Sequence, residues 1–412
     1  MMNTNKEEVG LGSVLAGVRV LEVAMWGFVP SAGAVLADWG ADVIKIEHPV
    51  HGDPMRGLVT SGYGDAPVNF MWEIMNRGKR SVAVDLRTDA GRSVALRLAE
   101  QCDVFLTSFL PEARRSLQID VEDITAVNPK VIYALGSGMG PAGPELDRGG
   151  YDMAAYWARS GIAHNVTPDG SEYPLPMPAA AFGDLTSGAL LAGGIAAALF
   201  GREKSGEGCV VDLSLLASGM WAMSVEITGV RVLGIDSYFR PQRSNLSNPI
   251  FTSYRTKDRR YLQLVMLEAD RHWPDLCRRI GRPDLIEEER FRTAHDRQVN
   301  SEACVAELQA VFDQHTLSDW LERLNDATGV WAVVAKPSEV PDDLQAIANG
   351  YISEAADLAG AKYPLVPSPL RFNGSLADTG PAPEHGQHTE AVLLELGWTW
   401  DEIASLREQG AF

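Results

Sequence analysis

An aspartate flanked by small residues, Asp184, stands in the segment GDLTSG at 183–188, directly before a run of small apolar residues. A carboxylate between a flexible glycine and the start of a helix can face a cavity and act as a nucleophile. The alternative is that Asp184 caps the helix, since an Asp side chain accepts bonds from the free amides of a first turn. Taken by itself, the segment favours capping.

Two other segments could meet an anion. The basic run of Arg77, Lys79 and Arg80 adds positive charge to an acidic chain, with a solvated loop as the alternative. The segment GSGMG at 136–140 could bring backbone amides near a phosphate. It lacks the GxGxxG spacing of a dinucleotide site, which favours a plain turn.

The first half of the chain alternates β-branched runs with helix-period segments, which is typical of βαβ units. The pattern predicts strands at 18–23, 42–47, 81–86, 103–107 and 131–135. It predicts helices at 30–39, 89–101 and 121–127. The predicted fold class is α/β, with a doubly wound, parallel, Rossmann-like sheet whose ligands lie beyond the carboxyl ends of the strands.

A chain of 412 residues is too long for one ordinary core, and its composition changes to Arg, Ser, Asn and Pro at 229–248. Beyond that break, a hairpin (251–254, 261–267) and helices (273–280, 301–314) predict a small α+β unit. We expect 1–228 to be the first part of the large domain and 229–335 the small domain. The segment 336–412 would be a linker and a return to the large domain, led in by 330–334 and ending in a helix at 398–408.

Composition excludes several classes of function. A net charge of −19 argues against nucleic acid or a membrane surface as partner, because both need a basic face. The four scattered cysteines predict free buried thiols rather than disulfides or a metal site. The polar N-terminus lacks a signal-peptide core, and the apolar run at 189–200 falls short of the ~20 residues of a membrane span. We therefore expect a cytoplasmic protein.

An ordered series of motifs accompanies Asp184. The series comprises GADVIKIE (40–47), GDPMR (52–56), NRGKRSVAVDL (76–86), NPKVIY (128–133) and GGYD (149–152). In this order and spacing the chain resembles the family III CoA-transferases, the group that contains formyl-CoA transferase and carnitine CoA-transferase. The resemblance is close over 15–225 and looser beyond.

The resemblance implies a homodimer of two interlocked subunits, with the large domain built from both ends of the chain. It implies an acyl-CoA and a carboxylic acid as substrates, with coenzyme A a substrate rather than a tightly bound cofactor. Positions that border CoA in the family correspond here to Leu86, Arg87, Ser108, Phe109 and Leu110, and we add Phe28, Gly149, Gly150, Tyr151 and Asp152. Arg87 is the expected phosphate partner, because a guanidinium fork suits phosphate oxygens.

The chain departs from the family pattern near the expected pocket. SFLP at 108–111 replaces the usual NFRP or NFGP, which removes one side-chain amide. Gly27 replaces a glutamine of formyl-CoA transferase and leaves an apolar wall with Trp26 and Phe28. A glycine-rich covering loop is absent, its place taken by 245–248. These changes predict a medium-sized acid, larger and more apolar than oxalate or formate.

Transfer of CoA between acids needs an acceptor that a thioester can acylate reversibly, and a carboxylate meets this need through a mixed anhydride. Asp184 is therefore the expected nucleophile, passing through an aspartyl anhydride and an aspartyl-CoA thioester. Backbone amides at 183 and 185–188 are the expected oxyanion donors. Tyr151 would line the same pocket or, equally, be a core tyrosine.

Three alternative functions can each be compared with particular residues of the chain. An α-methylacyl-CoA racemase shares the fold but carries Gly-His-Asp where this chain has Gly150, Tyr151 and Asp152, and a Tyr is a poor base at neutral pH. His164 could substitute, although a structural role is the simpler interpretation. A non-catalytic CoA-binding protein would need no Asp184. A nicotinamide dehydrogenase is disfavoured, since no phosphate-binding glycines follow the first strand.

Overall fold

The computed structural model describes residues 13–58, 66–238, 246–374 and 380–412. The chain divides into two compact units, Met1–Tyr238 with Leu344–Phe412, and Phe239–Asp343. The sequence placed the small unit at 229–335, so both of its boundaries lie further along the chain than expected. The first boundary moves because helix Ser224–Leu233 belongs to the larger unit.

The larger unit is built on a mixed α/β arrangement around a six-stranded parallel sheet. Its strands are β1 Arg19–Val23, β2 Asp42–Glu47, β3 Arg80–Ala83, β4 Val104–Thr107, β5 Ile132–Ser137 and β6 Cys209–Ser214. The strand order is β3-β2-β1-β4-β5-β6. Five strands lie where the sequence predicts them within a few residues, while the edge strand β6 was missed.

Helices cover both faces of this sheet. The first part of the chain supplies α1 Phe28–Asp38, α2 Phe70–Asn76, α3 Asp89–Glu100, α4 Pro111–Ser116, α5 Val121–Val127, α6 Ile162–Val166, α7 Phe182–Ser205, α8 Leu215–Ala222 and α9 Ser224–Leu233. Alternate residues of β1 enter different cores, with Leu21 on one face and Val20 on the other. Burial on both faces explains why a central strand such as β4, with the sequence VFLT, is almost continuously apolar.

The unit Phe239–Asp343 holds a separate three-stranded antiparallel sheet and a helical layer. Its elements are β7 Ser253–Arg255, β8 Tyr261–Leu264, α10 Ala269–Arg279, α11 Ala294–Val299, α12 Ser301–Phe312, α13 Leu317–Leu324 and β9 Trp331–Val333. Strand β9 pairs with β8, with Trp331 opposite Leu264. The expectation that 330–334 leads back to the large domain was therefore wrong.

The chain then re-enters the larger unit. The returning elements are α14 Leu344–Asn349, β10 Ser353–Ala356, β11 Lys362–Leu365, α15 Thr389–Glu395 and α16 Trp400–Glu408. Strands β10 and β11 form an antiparallel hairpin, which the sequence analysis missed. Val392 and Leu393 of α15 are buried in the same core as Leu21, so the C-terminal segment is part of the large fold.

Helix α7 is longer than the apolar run at 189–200 suggested. It spans 24 residues, and by length and composition it could cross a membrane. Core helices of soluble proteins also pass that test, and Leu191, Ile195 and Leu199 of α7 are buried in the core on the sheet. The apolar run at 189–200 is therefore part of a longer helix than expected, and this helix has a place in the folded core.

Three of the four cysteines are buried, as predicted, but Cys209 is exposed on the edge strand β6. Burial raises the pKa of the Cys102, Cys277 and Cys304 thiols to about 12. Those three thiols are therefore protonated and inert at neutral pH.

Candidate active site

The loops that follow β1 and β4 meet at the carboxyl edge of the sheet, where the strand order reverses direction. The Met25 amide donates to Ser108 Oγ at 3.1 Å and so joins the two loops. A cavity of about 490 Å³ opens beside them. The predicted site residues that line it are Phe28, Ser108, Phe109, Leu110, Gly149, Gly150, Tyr151 and Asp184. Ligands of doubly wound sheets bind at this position.

Asp184 lies in the first turn of α7 and does not cap it. The N-cap position belongs to Ala181, with φ of 57° and no side-chain cap. The Asp184 carboxylate instead faces the cavity. Burial, and secondly the negative charge of Asp152, raise its pKa to about 7. The capping interpretation was wrong, and the site holds a carboxylate whose ionised form is poorly compensated.

Gly27 touches the Asp184 carboxylate. A β-carbon built at Gly27 would lie 2.3 Å from Asp184 Oδ2. Gly27 has φ of −96° and ψ of −55°, a conformation open to any residue, so contact rather than backbone strain requires glycine here. Ser31, one turn into α1, donates to the Asp184 carbonyl at 3.2 Å and ties α7 to the same turn.

The GSGMG segment forms part of the cavity wall, contrary to the plain turn that was expected. Gly136, Ser137 and Gly138 all line the cavity. A β-carbon at Gly138 would lie 2.6 Å from the Gly150 α-carbon, so the two loops meet through their backbones. The missing side chains therefore make room for close loop contact rather than for a dinucleotide phosphate.

Two aromatic residues form one wall of the cavity. The Trp26 and Tyr151 rings meet edge to face, with centroids 5.6 Å apart. Trp26 has φ of 69°, which is strained for a bulky residue. Tyr151 is 62% exposed, so the core-tyrosine alternative was wrong.

Asp152 stands behind the cavity rather than in its lining. Its side chain is 7% exposed, and Oδ1 accepts from the Met153 amide at 2.8 Å. Burial raises the pKa of Asp152, while the amides of Met153, Gly183 and Asp184 oppose the shift. The expected direct role of Asp152 in binding CoA is not supported by its position, and its influence reaches the cavity through the charge it places near Asp184.

A second cavity, of about 220 Å³, lies on the other side of the β1 loop. Leu86, Arg87 and Phe109 line it, as does His48. Arg87 is 65% exposed in its side chain and pairs with Asp85 at 2.8 Å. Met25 and Phe109 border both cavities.

His48 was missed by the sequence analysis. Arg87 Nη2 lies 2.6 Å from His48 Nε2, and the His48 ring stacks on His51 at 4.7 Å. Burial and the Arg87 guanidinium lower the pKa of His48. The only signal in the sequence was its position directly after β2, at the same sheet edge as Asp184.

The basic run at 77–80 is neither a solvated loop nor a phosphate site. Arg77 and Lys79 are 4% and 3% exposed. Arg77 Nε donates to Asp38 Oδ1 at 2.9 Å. Lys79 Nζ lies 2.8 Å from Glu22 Oε2. Both cations are used inside the fold, so both interpretations of the run were wrong.

Two further expectations are corrected. The Leu185 amide donates to the Ala181 carbonyl at 2.9 Å inside α7, and the Gly183 amide is bonded to the Asp152 carboxylate, so neither of these two predicted donors is available to a developing oxyanion. His164 is exposed on α6 and is absent from the residues that line the cavity, so it does not replace the missing base. The segment 245–248 is described only from residue 246, and Asn245 lies outside the described residues.

Comparison with known proteins extends these observations. Residues 15–389 match the model of CoA-transferase family III. The chain is 30% identical over 400 residues to (R)-2-hydroxy-4-methylpentanoate CoA-transferase of Clostridioides difficile, covering 96% of this chain and 98% of that one. It is 28% identical over 405 residues to cinnamoyl-CoA:phenyllactate CoA-transferase of Clostridium sporogenes, covering 96% of each chain. A CAIB/BAIF family protein from Brucella suis superposes with a TM-score of 0.80 at 27% identity, over 93% of this chain and 100% of that one.

Proposed function

This chain belongs to CoA-transferase family III, and we propose that it moves CoA between two carboxylic acids through covalent intermediates on Asp184. The family membership makes it an enzyme that transfers CoA, with CoA thioesters as substrates. The observation that carries the proposed mechanism is the placement of Asp184. Its carboxylate is buried against a cavity wall, and burial raises its pKa to about 7. A carboxylate that is poorly solvated when ionised is a stronger nucleophile than one in water.

Ionised Asp184 attacks the acyl carbon of the donor acyl-CoA. The carbon–sulfur bond breaks, which leaves an aspartyl mixed anhydride and CoA thiolate. The thiolate attacks the aspartyl carbonyl and releases the donor acid as its carboxylate, giving an aspartyl-CoA thioester. The acceptor carboxylate attacks that thioester, and the resulting anhydride is cleaved by the thiolate to give the new acyl-CoA and free Asp184. Each step conserves charge, so no external base is needed.

The start of α1 supplies the oxyanion donors in this proposal. Gly27, Phe28 and Val29 line the cavity beside Asp184. The first hydrogen bond of α1 runs from the Ser31 amide to the Gly27 carbonyl, and Pro30 has no amide hydrogen, so the Gly27, Phe28 and Val29 amides are the ones without a partner within the helix. Amides already fixed in place stabilise a tetrahedral oxyanion at little reorganisation cost.

CoA would lie across both cavities. The smaller cavity, with Leu86, Arg87 and His48, would take the nucleotide end, because Arg87 can present its guanidinium to a phosphate. The pantetheine arm would pass Met25 and Phe109, which border both cavities, and the thiol would reach Asp184. An acidic protein with a net charge of −19 needs such a local cation to hold an anionic ligand.

The acids exchanged would carry branched or aromatic carbon skeletons. Trp26, Phe28, Val29 and Tyr151 give the cavity an apolar wall beside Asp184. Two relatives named for acids of this kind, 2-hydroxy-4-methylpentanoate and phenyllactate, support the same choice. We expect acetyl-CoA and formyl-CoA to be poor donors, since small acyl groups would leave that wall unfilled.

Neither alternative function is favoured. A racemase needs a second base near the acyl α-carbon, and none of the described cavity-lining residues is a histidine. The relatives are named CoA-transferases, which also disfavours racemisation. A non-catalytic CoA-binding protein would have no use for a buried carboxylate at this position.

We propose that two copies of the chain associate in the cytoplasm. Helices α7 to α9 expose large apolar side chains, among them Phe200 at 63%, Trp221 at 72% and Val232 at 76%. Three adjacent helices that each expose large apolar side chains are typical of a protein–protein interface, whereas single exposed apolar residues are common on any surface. Light scattering after size exclusion should give twice the chain mass of 44.7 kDa.

The test of the proposed function is exchange of label between CoA thioesters and free acids by Asp184→Ala and wild type. The wild type should exchange, whereas Asp184→Ala should lose exchange while still binding CoA. Exchange by Asp184→Ala at the wild-type rate would remove Asp184 from the mechanism. Deuterium uptake at the α-carbon without exchange would point to racemisation instead.

A further inference from the structure

A network of four fully buried charged side chains lies next to the loop that separates the two cavities, and its member Asp53 lines the smaller one. Glu22 of β1 and Lys45 of β2 are joined at 2.9 Å, and Lys79 meets the same carboxylate at 2.8 Å. Lys45 also lies 2.9 Å from Asp53 Oδ2. All four side chains are 0% exposed to solvent. Lys45, Asp53 and Lys79 come from the motifs at 40–47, 52–56 and 76–86, Glu22 comes from β1, and the catalytic proposal uses none of these four side chains.

The network sets two lysines against two carboxylates, and burial lowers the pKa of Lys79 to about 7. A buried ion network of this kind contributes little net stability, because desolvation of the charges offsets their attraction. The presence of these charges in the core is better explained if the network holds the groups that it contacts in specific positions.

Those groups are three backbone points of the segment 24–30, which comprises the loop after β1 and the first residues of α1. Lys45 donates to the Ala24 carbonyl at 2.8 Å, and Lys79 donates to the Pro30 carbonyl at 2.8 Å. Asp53 Oδ1 accepts from the Trp26 amide at 3.2 Å. The same network thus bonds to the backbone of segment 24–30 at both ends and in the middle.

The bond between the Trp26 amide and Asp53 acts on a strained residue. Trp26 adopts φ of 69°, a left-handed conformation that is unfavourable for a bulky residue and persists only when its surroundings impose it. The next residue is Gly27, whose α-carbon lies against the Asp184 carboxylate. Asp53 therefore acts on the position of Gly27, and through it on the carboxylate, without touching any reacting atom.

We propose that Asp53, held by Lys45, is a positioning residue for acyl transfer that fixes the strained Trp26–Gly27 turn against Asp184. The proposal rests on the proposed function of Asp184. In this proposal the buried network keeps the loop in the geometry that the transition state requires. Glu22 and Lys79 hold the residues on either side of Trp26 and Gly27. A displacement of about 1 Å at a reacting group can lower the rate by about a hundredfold, so the loss of a positioning contact is detected as a lower kcat.

The experiment compares Asp53→Ala with wild type and with a matched control, Asp38→Asn. Asp38 also belongs to a buried ion pair, with Arg77 Nε at 2.9 Å, but it lies at the far end of α1. Removing either acid takes one ion-pair partner away from a buried cation, so both variants should lose thermal stability. Only Asp53→Ala should lower kcat per folded molecule, by about tenfold or more, with the KM for acyl-CoA changed by less than about threefold.

Hydrogen–deuterium exchange provides a reading that does not depend on the reaction. The peptide spanning 24–30 should exchange faster in Asp53→Ala than in wild type, and at the wild-type rate in Asp38→Asn. The double variant Lys45→Met with Asp53→Asn removes both charges and keeps an oxygen for the Trp26 amide. It should recover activity relative to Lys45→Met alone, and it carries the test if Asp53→Ala does not fold.

Equal stability losses in Asp53→Ala and Asp38→Asn, with unchanged kcat and unchanged exchange at 24–30, would show that the network is merely structural. That result would leave the proposed function intact. A wild type that exchanges no CoA would overturn the proposed function, and the exchange of the 24–30 peptide would still show whether the network holds the turn.

Discussion

Gly27 and Asp184 meet so closely that a β-carbon on the former would lie 2.3 Å from Oδ2 of the latter. The two residues come from the start of α1 and the start of α7, and Ser31 links the same helices through the Asp184 carbonyl at 3.2 Å. The absence of a side chain at Gly27 therefore sets where the reactive carboxylate can lie.

Gly27→Ala should abolish transfer while leaving the protein folded. The added methyl group must push the Asp184 carboxylate out of its place, and we expect kcat to fall by about a hundredfold or more. Steady-state kinetics with saturating acyl-CoA measures the effect. Gly193→Ala on α7 is the control, since its β-carbon meets nothing within 4 Å and should leave kcat unchanged. Similar kcat values for Gly27→Ala and wild type would contradict the contact.

Activity should rise as pH increases through about 7, because the ionised Asp184 attacks and its pKa is raised to about 7 by burial and by Asp152. The pH profile of kcat/KM reports this group in the free enzyme. Asp152→Asn removes the neighbouring negative charge and should move the midpoint to lower pH. A midpoint that stays in place in Asp152→Asn would mean that another group titrates.

The same carboxylate makes stability depend on pH. Folded Asp184 keeps its proton up to about pH 7, whereas in the unfolded chain it loses the proton near 3.8. The folded state binds more protons between these values, so this group's stabilising contribution is complete below the lower value and declines as pH rises through the higher one. Asp184→Asn should therefore gain stability over wild type as pH rises, by up to about 4 kcal/mol. Denaturant unfolding at a series of pH values measures the difference, and a constant difference would refute the buried carboxylate.

Arg87→Met should weaken acyl-CoA binding and spare the chemical step. The guanidinium borders the smaller cavity and is 65% exposed, so it can offer donors to a phosphate in addition to its pairing with Asp85. Loss of one charge-assisted contact of this kind costs about 1.5–3 kcal/mol, which raises KM by about tenfold or more. Arg407→Met, which removes an exposed cation that pairs with Glu390, is the control for net charge. An unchanged KM for Arg87→Met would place the nucleotide elsewhere.

Much of the large fold could be predicted from the sequence. Strand β2 and helix α5 were predicted with the bounds that the structure shows, because period and flanking residues agree there. Strand β6 was missed because its residues are largely exposed at the sheet edge and lack the apolar run of a central strand. The return of the chain to the large unit was predicted too early, at β9, because a short apolar run does not reveal which strand it pairs with.

The cavity was only partly predictable for a physical reason. The nucleophile and the loops after β4 and β5 follow from the motif order, but burial of a charge cannot be read from charge alone. Arg77 and Lys79 looked like solvated or phosphate-binding residues because their partners, Asp38 and Glu22, lie far away in sequence. His48 and the contact of Gly27 with Asp184 depend on tertiary geometry in the same way.

The most direct measurement is mass analysis of the peptide that contains Asp184 after hydroxylamine treatment of enzyme incubated with an acyl-CoA. An anhydride or thioester on the carboxyl group would be converted to a hydroxamate, and the account predicts this mass change on Asp184 in wild type only when acyl-CoA is present. An unmodified Asp184 peptide from enzyme that is actively exchanging CoA would contradict the account.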